Sequence, residues 1–230
     1  MRINKLLSNY GICSRREART LIENNRIKVN GELCIQGQWV EEDDSIFIDD
    51  RLITKKEGIY IAFNKPIGVT CTAAKEVNGN IIDYINYSEY IFPVGRLDKE
   101  SQGLIILTND GEFANKILES DNYHEKEYIV RVNKSFDDNF VKSMSKGVKI
   151  LDRLTRSCKV TRITEDTFNI ILTQGLNKQI RRMTRAFGYT VVYLKRIRIM
   201  NITLEGIKEG EWRNLTEEEL EEMIRSVQSV

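Results

Sequence analysis

Gly95-Arg96-Leu97-Asp98-Lys99-Glu100-Ser101-Gln102-Gly103-Leu104 sets one carboxylate, Asp98, in a glycine-bounded loop. The apolar run Leu104–Leu107 follows at once. Residues 91–97 and 103–108 read as strands on either side of this loop. A loop held by two strands can carry one reactive group at the lip of a cleft. By composition alone an ordinary turn is the more usual reading of such a stretch. Arg96 lies two residues before Asp98, and on a strand the two would share a face.

Upstream, Ile59–Phe63 reads as a buried strand running into a turn, Asn64-Lys65-Pro66-Ile67-Gly68. Downstream, Asp110 caps a helix to about Leu118. Tyr128–Val132 alternates as a strand and Phe136–Met144 reads as a helix. Two strands are expected near 156–163 and 167–173. Lys178–Phe187 reads as a basic helix ended by Gly188, and Val191–Leu204 as mostly strand. Thr216 to Glu219 opens a last, acidic helix. Strands come in runs with helices set aside, without regular βαβ alternation. That pattern predicts an α+β domain: a mixed, mostly antiparallel sheet with a central cleft.

The first fifty residues read as a separate small module. Ile3, Leu6 and Leu7 recur at helical spacing, and Gly11 ends that helix. Ser14-Arg15-Arg16-Glu17 is a capping box for a second helix. Ile27-Lys28-Val29, the Asn30-Gly31 turn and the return through Leu33 and Ile35 make a hairpin. Ile46–Ile48 supplies a further strand. The expected division is a module at 1–50, a linker at 51–57 and a larger domain at 58–230.

The net charge is only +1, but it is spread unevenly. Residues 1–30 hold seven Arg or Lys and two Glu, and residues 175–200 hold seven Arg or Lys and no acid. Two basic surfaces on a neutral chain suit a nucleic-acid binder that must also release its partner. Solvated helix faces give the same composition. Cys13, Cys34, Cys71 and Cys158 show no CxxC spacing, and His124 has no cysteine neighbour, so no metal site is expected. Unpaired cysteines and the lack of a leader or an apolar span predict a cytoplasmic protein outside the membrane. His124, between polar neighbours, reads as a surface or RNA-contact residue.

The N-terminal stretches Arg2-Ile3-Asn4-Lys5-Leu6-Leu7, Ser14-Arg15-Arg16-Glu17-Ala18 and Arg26-Ile27-Lys28-Val29-Asn30-Gly31 resemble the RNA-binding domain first seen in ribosomal protein S-four. This resemblance implies RNA contacts from Arg2, Lys5, Arg15, Arg16, Arg19, Arg26 and Lys28. The Gly95–Leu104 loop resembles the catalytic loop of pseudouridine synthases of the RsuA/RluF family. Asn64–Gly68, Lys126-Glu127-Tyr128 and Gly175-Leu176-Asn177-Lys178-Gln179-Ile180-Arg181-Arg182-Met183 resemble three further blocks of that family, in its order. Lys99–Gly103, Asn122–Tyr128 and Gly147–Val160 look most similar to the RluF side, which modifies 23S ribosomal RNA.

The resemblance implies an isomerase needing no cofactor and no metal, with Asp98, Tyr128 and Arg181 catalytic. Asp98 would be the ionised carboxylate near base and sugar. Arg181 would hold it charged against burial. Tyr128 would stack on the uracil and take the proton from carbon 5. Ile180 would wall the uracil, and Arg96 would fill the gap left by the flipped base or grip phosphate. Lys65, Lys126, Arg182 and Arg185 would contact the RNA backbone. The expected partner is 23S ribosomal RNA, with a transfer RNA stem-loop as an alternative, and the expected state is a monomer. Two other readings stay open. One is a catalytically inactive RNA-binding or ribosome-assembly protein. The other is a glycoside hydrolase using Asp98 and Glu100 as a carboxylate pair.

Overall fold

In the computed structural model, which describes residues 1–74, 76–119 and 123–228, Ile3, Leu6 and Leu7 face inward from helix α1 (Ile3–Asn9). Helix α2 (Arg15–Glu23) opens on the capping box: the Glu17 N–H donates to Ser14 Oγ at 3.1 Å, and the Ser14 N–H to Glu17 Oε2 at 3.0 Å. Strands β1 (Ile27–Val29) and β2 (Glu32–Leu33) meet at Asn30-Gly31. Both turn residues have positive φ, as a tight hairpin with native twist requires. Strand β3 (Ile46–Ile48) pairs with β1. Strand β4 (Arg51–Leu52) returns on β3 through a second positive-φ turn, Asp49-Asp50. Residues 51 and 52 therefore belong to the first sheet and not to a linker. A two-residue strand leaves no periodic signal to read.

The larger unit begins with β5 (Tyr60–Lys65), helix α3 (Ile81–Ile85), β6 (Phe92–Val94) and β7 (Gln102–Thr108). Helix α4 (Gly111–Leu118) and β8 (Lys126–Val132) follow. Then come α5 (Asp138–Ser145), a small hairpin of β9 (Lys149–Ile150) and β10 (Arg153–Leu154), β11 (Lys159–Arg162) and β12 (Thr167–Leu172). The chain ends with α6 (Gln179–Ala186), β13 (Val191–Ile199), β14 (Ile202–Thr203), β15 (Trp212–Asn214) and α7 (Glu217–Gln228). Helix α3, the β9–β10 hairpin and β15 were not legible in the sequence. No single helix or strand among them exceeds five residues, too short for a period. Asn122, within one stretch of the family resemblance, lies outside the described residues.

The main sheet runs β11-β12-β8-β13-β7-β5-β15, with β14 on β13 and β6 on β7. Every pairing is antiparallel except β13 with β7. All seven residues of β7 are buried because both faces of the sheet are covered. One face packs on α3, α5 and α6 through Ile81, Phe140, Met144, Ile180 and Met183. The other packs on α4 and α7 through Phe113, Ile117 and Met223.

The single parallel seam positions the site. It holds only at Lys195 with Gln102 and Arg196 with Gly103. Gly103 sits at φ +105°, and a Cβ there would lie 2.2 Å from the Arg196 carbonyl oxygen. Only glycine lets the two backbones meet this closely. The N-terminal unit is seated against the larger one. The Asn9 amide donates to Glu112 of α4 at 3.3 Å, and the Lys56 N–H to the Tyr10 carbonyl at 3.0 Å.

Candidate active site

Strand β6 stops at Val94 because Gly95 turns to φ +74°. Arg96, Leu97 and Asp98 therefore lie in a loop, and the strand that would have aligned Arg96 with Asp98 is absent. The Ser101 N–H donates to the Asp98 carbonyl at 2.9 Å, closing a turn that leads into β7. Behind it, the Gly68 N–H donates to the Lys99 carbonyl at 2.8 Å. The Leu97 N–H reaches Cys71 Sγ at 3.5 Å. The Asn64–Gly68 turn thus braces the Asp98 loop from below.

Asp98 opens onto a cleft of about 580 Å³. Arg96, Lys126, Tyr128, Ile180, Arg181 and Arg196 line it with Asp98. Four parts of the chain distant in sequence supply them: the loop, β8, α6 and β13. Lys126 and Tyr128 alternate on β8 and share a face. Tyr128 and Ile180 are buried, and they join the cleft to the core.

Arg181 Nε stands 3.8 Å from Asp98 Oδ2. Its other nitrogens are held: Nη1 donates to the Val191 carbonyl, and Nη2 to the Glu100 carbonyl and Ser101 Oγ, at 3.1 to 3.3 Å. Nε itself is buried with no hydrogen-bond partner. The guanidinium is therefore anchored to the frame while its free donor faces the carboxylate. Arg181→Met should lower the single-turnover rate about 100-fold, as loss of an oriented charge does. Arg181→Lys should recover only part, because an ammonium cannot hold the same four partners. Single-turnover rates at saturating substrate check both.

Several expected contacts are placed otherwise. Lys65 is fully buried, and its Nζ donates to the Pro66 carbonyl at 2.8 Å. Its ammonium is turned inward onto its own turn, away from any RNA phosphate. Its pKa is lowered by burial. His124 is buried too, with Nε2 donating to the Lys116 carbonyl at 3.2 Å, so it is no surface contact. Arg182 is half-buried and bonds Asn177 through Nε and Nη2 at 2.9 and 3.1 Å. Arg185 is exposed. Both line a second hollow, with Glu100 and Tyr189, on the outer side of α6. Glu100 is absent from the main cleft, so it forms no carboxylate pair there with Asp98.

In the N-terminal unit Arg2, Lys5, Arg15, Arg16, Arg19 and Arg26 are exposed, and Lys28 is half-buried. Arg26 pairs with Asp49 and Lys28 with Asp50, which takes two cations out of play. Arg16 reaches Glu76 at 3.6 Å and Arg19 reaches Glu23 at 3.6 Å, both in the open. Among the described residues Arg2, Lys5 and Arg15 make no ion pair.

One cleft residue escaped the sequence reading. Arg196, on β13, is buried at 3% exposure. Its Nε donates to the Leu104 carbonyl at 2.6 Å, and its Nη2 is buried without a partner. The signal was there: in an alternating strand Arg196 falls in phase with buried Leu194. Nearby Lys126 is pushed down to about 8, by burial first and by Arg196 second. Among the described residues no three His, Cys, Asp or Glu side chains are grouped as metal ligands would be. Among the described residues no helix is long and apolar enough to cross a membrane.

Known proteins share this arrangement. Residues 59–186 match the RNA pseudouridylate synthase family, and residues 1–46 match the S4 domain. The dual-specificity RNA pseudouridine synthase RluF of Salmonella typhi is 47% identical over 230 residues, covering 99% of this chain and 80% of the relative. The ribosomal large subunit pseudouridine synthase B of Bacillus subtilis is 30% identical, covering 96% of this chain and 95% of the relative. A crystal structure of a pseudouridylate synthase superposes with a TM-score of 0.73 at 28% identity, over 97% of this chain and 99% of that one. With this fold, this cleft and these relatives, the chain belongs to the RNA pseudouridine synthase family, a family of isomerases, and carries an N-terminal S4 domain.

Proposed function

We propose that this enzyme isomerises uridine in folded 23S ribosomal RNA with Asp98 as the catalytic carboxylate. The observation that carries the assignment is the Asp98–Arg181 pair, set in the wall of a cleft lined with cations. The target base leaves its stack and enters the cleft, at a cost of a few kcal/mol in lost stacking. Arg181 pairs with Asp98 and orients it, Tyr128 stacks on the base and receives the carbon 5 proton, and Ile180 supplies the apolar wall. Arg96, at the exposed lip, occupies the space the base vacates. Lys126 lines the floor, and Arg185 with Arg182 grips phosphate beside α6. Arg2, Lys5, Arg15, Arg16 and Arg19 hold the RNA flank. We place the division between the two units after Leu52 and before Tyr60, and we take the enzyme to act as a cytoplasmic monomer. The dual specificity in the Salmonella relative's name supports a second RNA substrate, which we take to be a transfer RNA stem-loop.

The direct test maps pseudouridine in ribosomal and transfer RNA from cells lacking the protein. The cells are complemented with wild type or with Asp98→Asn. One signal in 23S RNA should vanish and return only with wild type. Unchanged signals throughout would favour an RNA-binding assembly factor.

Binding should be steeply salt-dependent, because each phosphate contact releases counterions. Lys5→Ala with Arg15→Ala should flatten the slope of log affinity against log salt by roughly 1.5. The single-turnover rate at saturating RNA should stay as in wild type. Filter binding across a salt series measures the slope.

A further inference from the structure

A buried guanidinium without a carboxylate is costly, and such a group is retained where something anionic arrives. Arg196 is such a group. It lines the reaction cleft, makes no ion pair among the described residues, and keeps one nitrogen buried and unbonded. The seam explains its rigidity. Its backbone presses on Gly103, and its Nε is tied to the Leu104 carbonyl at 2.6 Å. The free Nη2 is thus fixed in place before substrate binds. Lys126 lines the same cleft, with Nζ held by the His124 carbonyl at 3.4 Å. Arg196 acts on Lys126 as a neighbouring charge, so the two cations raise each other's cost. Asp98 does not neutralise them, since its ion-pair partner is Arg181.

We propose that Arg196, with Lys126 beside it, forms an oxyanion subsite for a ring carbonyl of the flipped pyrimidine. The proposal rests on the synthase reading given above. The chemistry calls for such a site. When the bond between N1 and C1′ breaks, its electron pair leaves with the base. The charge spreads over N1 and the two carbonyl oxygens. After the base turns, carbon 5 donates an electron pair to C1′, its proton departs, and N1 is protonated. While detached the base is an anion, whichever way Asp98 assists. Donors fixed in advance where that charge develops give large rate effects. Asp98 and Arg181 serve the sugar side, and Arg196 serves the base side.

The test uses the full chain and a synthetic stem-loop carrying the mapped uridine, with oxygen, 2-thio or 4-thio substitution at the base. Sulfur accepts hydrogen bonds poorly, so one thio substrate should react about 10-fold slower or worse with wild type. Arg196→Met should slow the oxygen substrate about 100-fold or more at saturating RNA, with affinity within about threefold of wild type. In that variant the thio penalty should disappear, an outcome that loosened packing would not produce. Arg196→Lys keeps the charge and should fall between the two. If wild type shows no thio penalty at either carbonyl, the subsite is refuted without recourse to any variant. An undiminished penalty in Arg196→Met refutes it as well. Failure of wild type to convert the oxygen substrate would instead count against the synthase reading on this RNA.

Discussion

Asp98→Asn should bind RNA about as well as wild type and turn it over at least about 1,000-fold more slowly. The side chain keeps its size, and the turn closed by the Ser101 N–H uses the Asp98 backbone, which the substitution leaves alone. What goes is the negative charge facing Arg181 Nε at 3.8 Å. An amide can neither stabilise a developing cation at the sugar nor accept a proton. Loss of a group acting as base or as electrostatic partner typically removes two to four orders of magnitude. Single-turnover assays at saturating RNA, with affinity measured separately, divide the two effects. A residual rate above a tenth of wild type would move the essential carboxylate elsewhere.

Gly103→Ala should lower stability by about 3 kcal/mol or more, because strain and overlap add there. The position has φ +105°, and its new Cβ would stand 2.2 Å from the Arg196 oxygen and 2.7 Å from its nitrogen. Both are backbone atoms, so neither can swing away. For a chain of this length that corresponds to a melting point lower by roughly 6–12 °C. Gly37→Ala separates the causes: φ is +78° but nothing lies within 4 Å. It should show the backbone strain alone, about 1 kcal/mol. Thermal melts of the two variants give the comparison. Equal shifts would mean that the seam yields easily and does not set the cleft.

What could be read in the sequence was local. The Ser14–Glu17 box, the Asn30-Gly31 turn and the Asp110 cap work within four residues, and each forms as expected. The family-like blocks located Asp98, Tyr128, Ile180 and Arg181, which the fold brings to one cleft. The failures were matters of tertiary context. His124 sits among polar neighbours, yet the α4 carbonyl of Lys116 buries it. Lys65 looked like an exposed turn residue. It is the last residue of β5, paired with Gly103 of β7, and its ammonium turns back onto the Pro66 carbonyl instead of facing out. Arg196 was one cation among seven in a basic stretch. Its phase with Leu194 marked it as inward-facing, but the seam that brings it against Gly103 pairs strands about ninety residues apart.

The seating of the S4 domain has a consequence for which RNAs are accepted. Glu112, gripped by Asn9, belongs to the same helix whose last residue, Leu118, lines the cleft. The two RNA grips we propose, the S4 domain and the cleft, therefore share one bracket and a set spacing. Once one is engaged, the other meets its RNA at a high effective concentration, but only if the RNA presents both features at that spacing. Avidity here doubles as a length gauge. A stem one turn too long would keep either grip and lose the gain from having both.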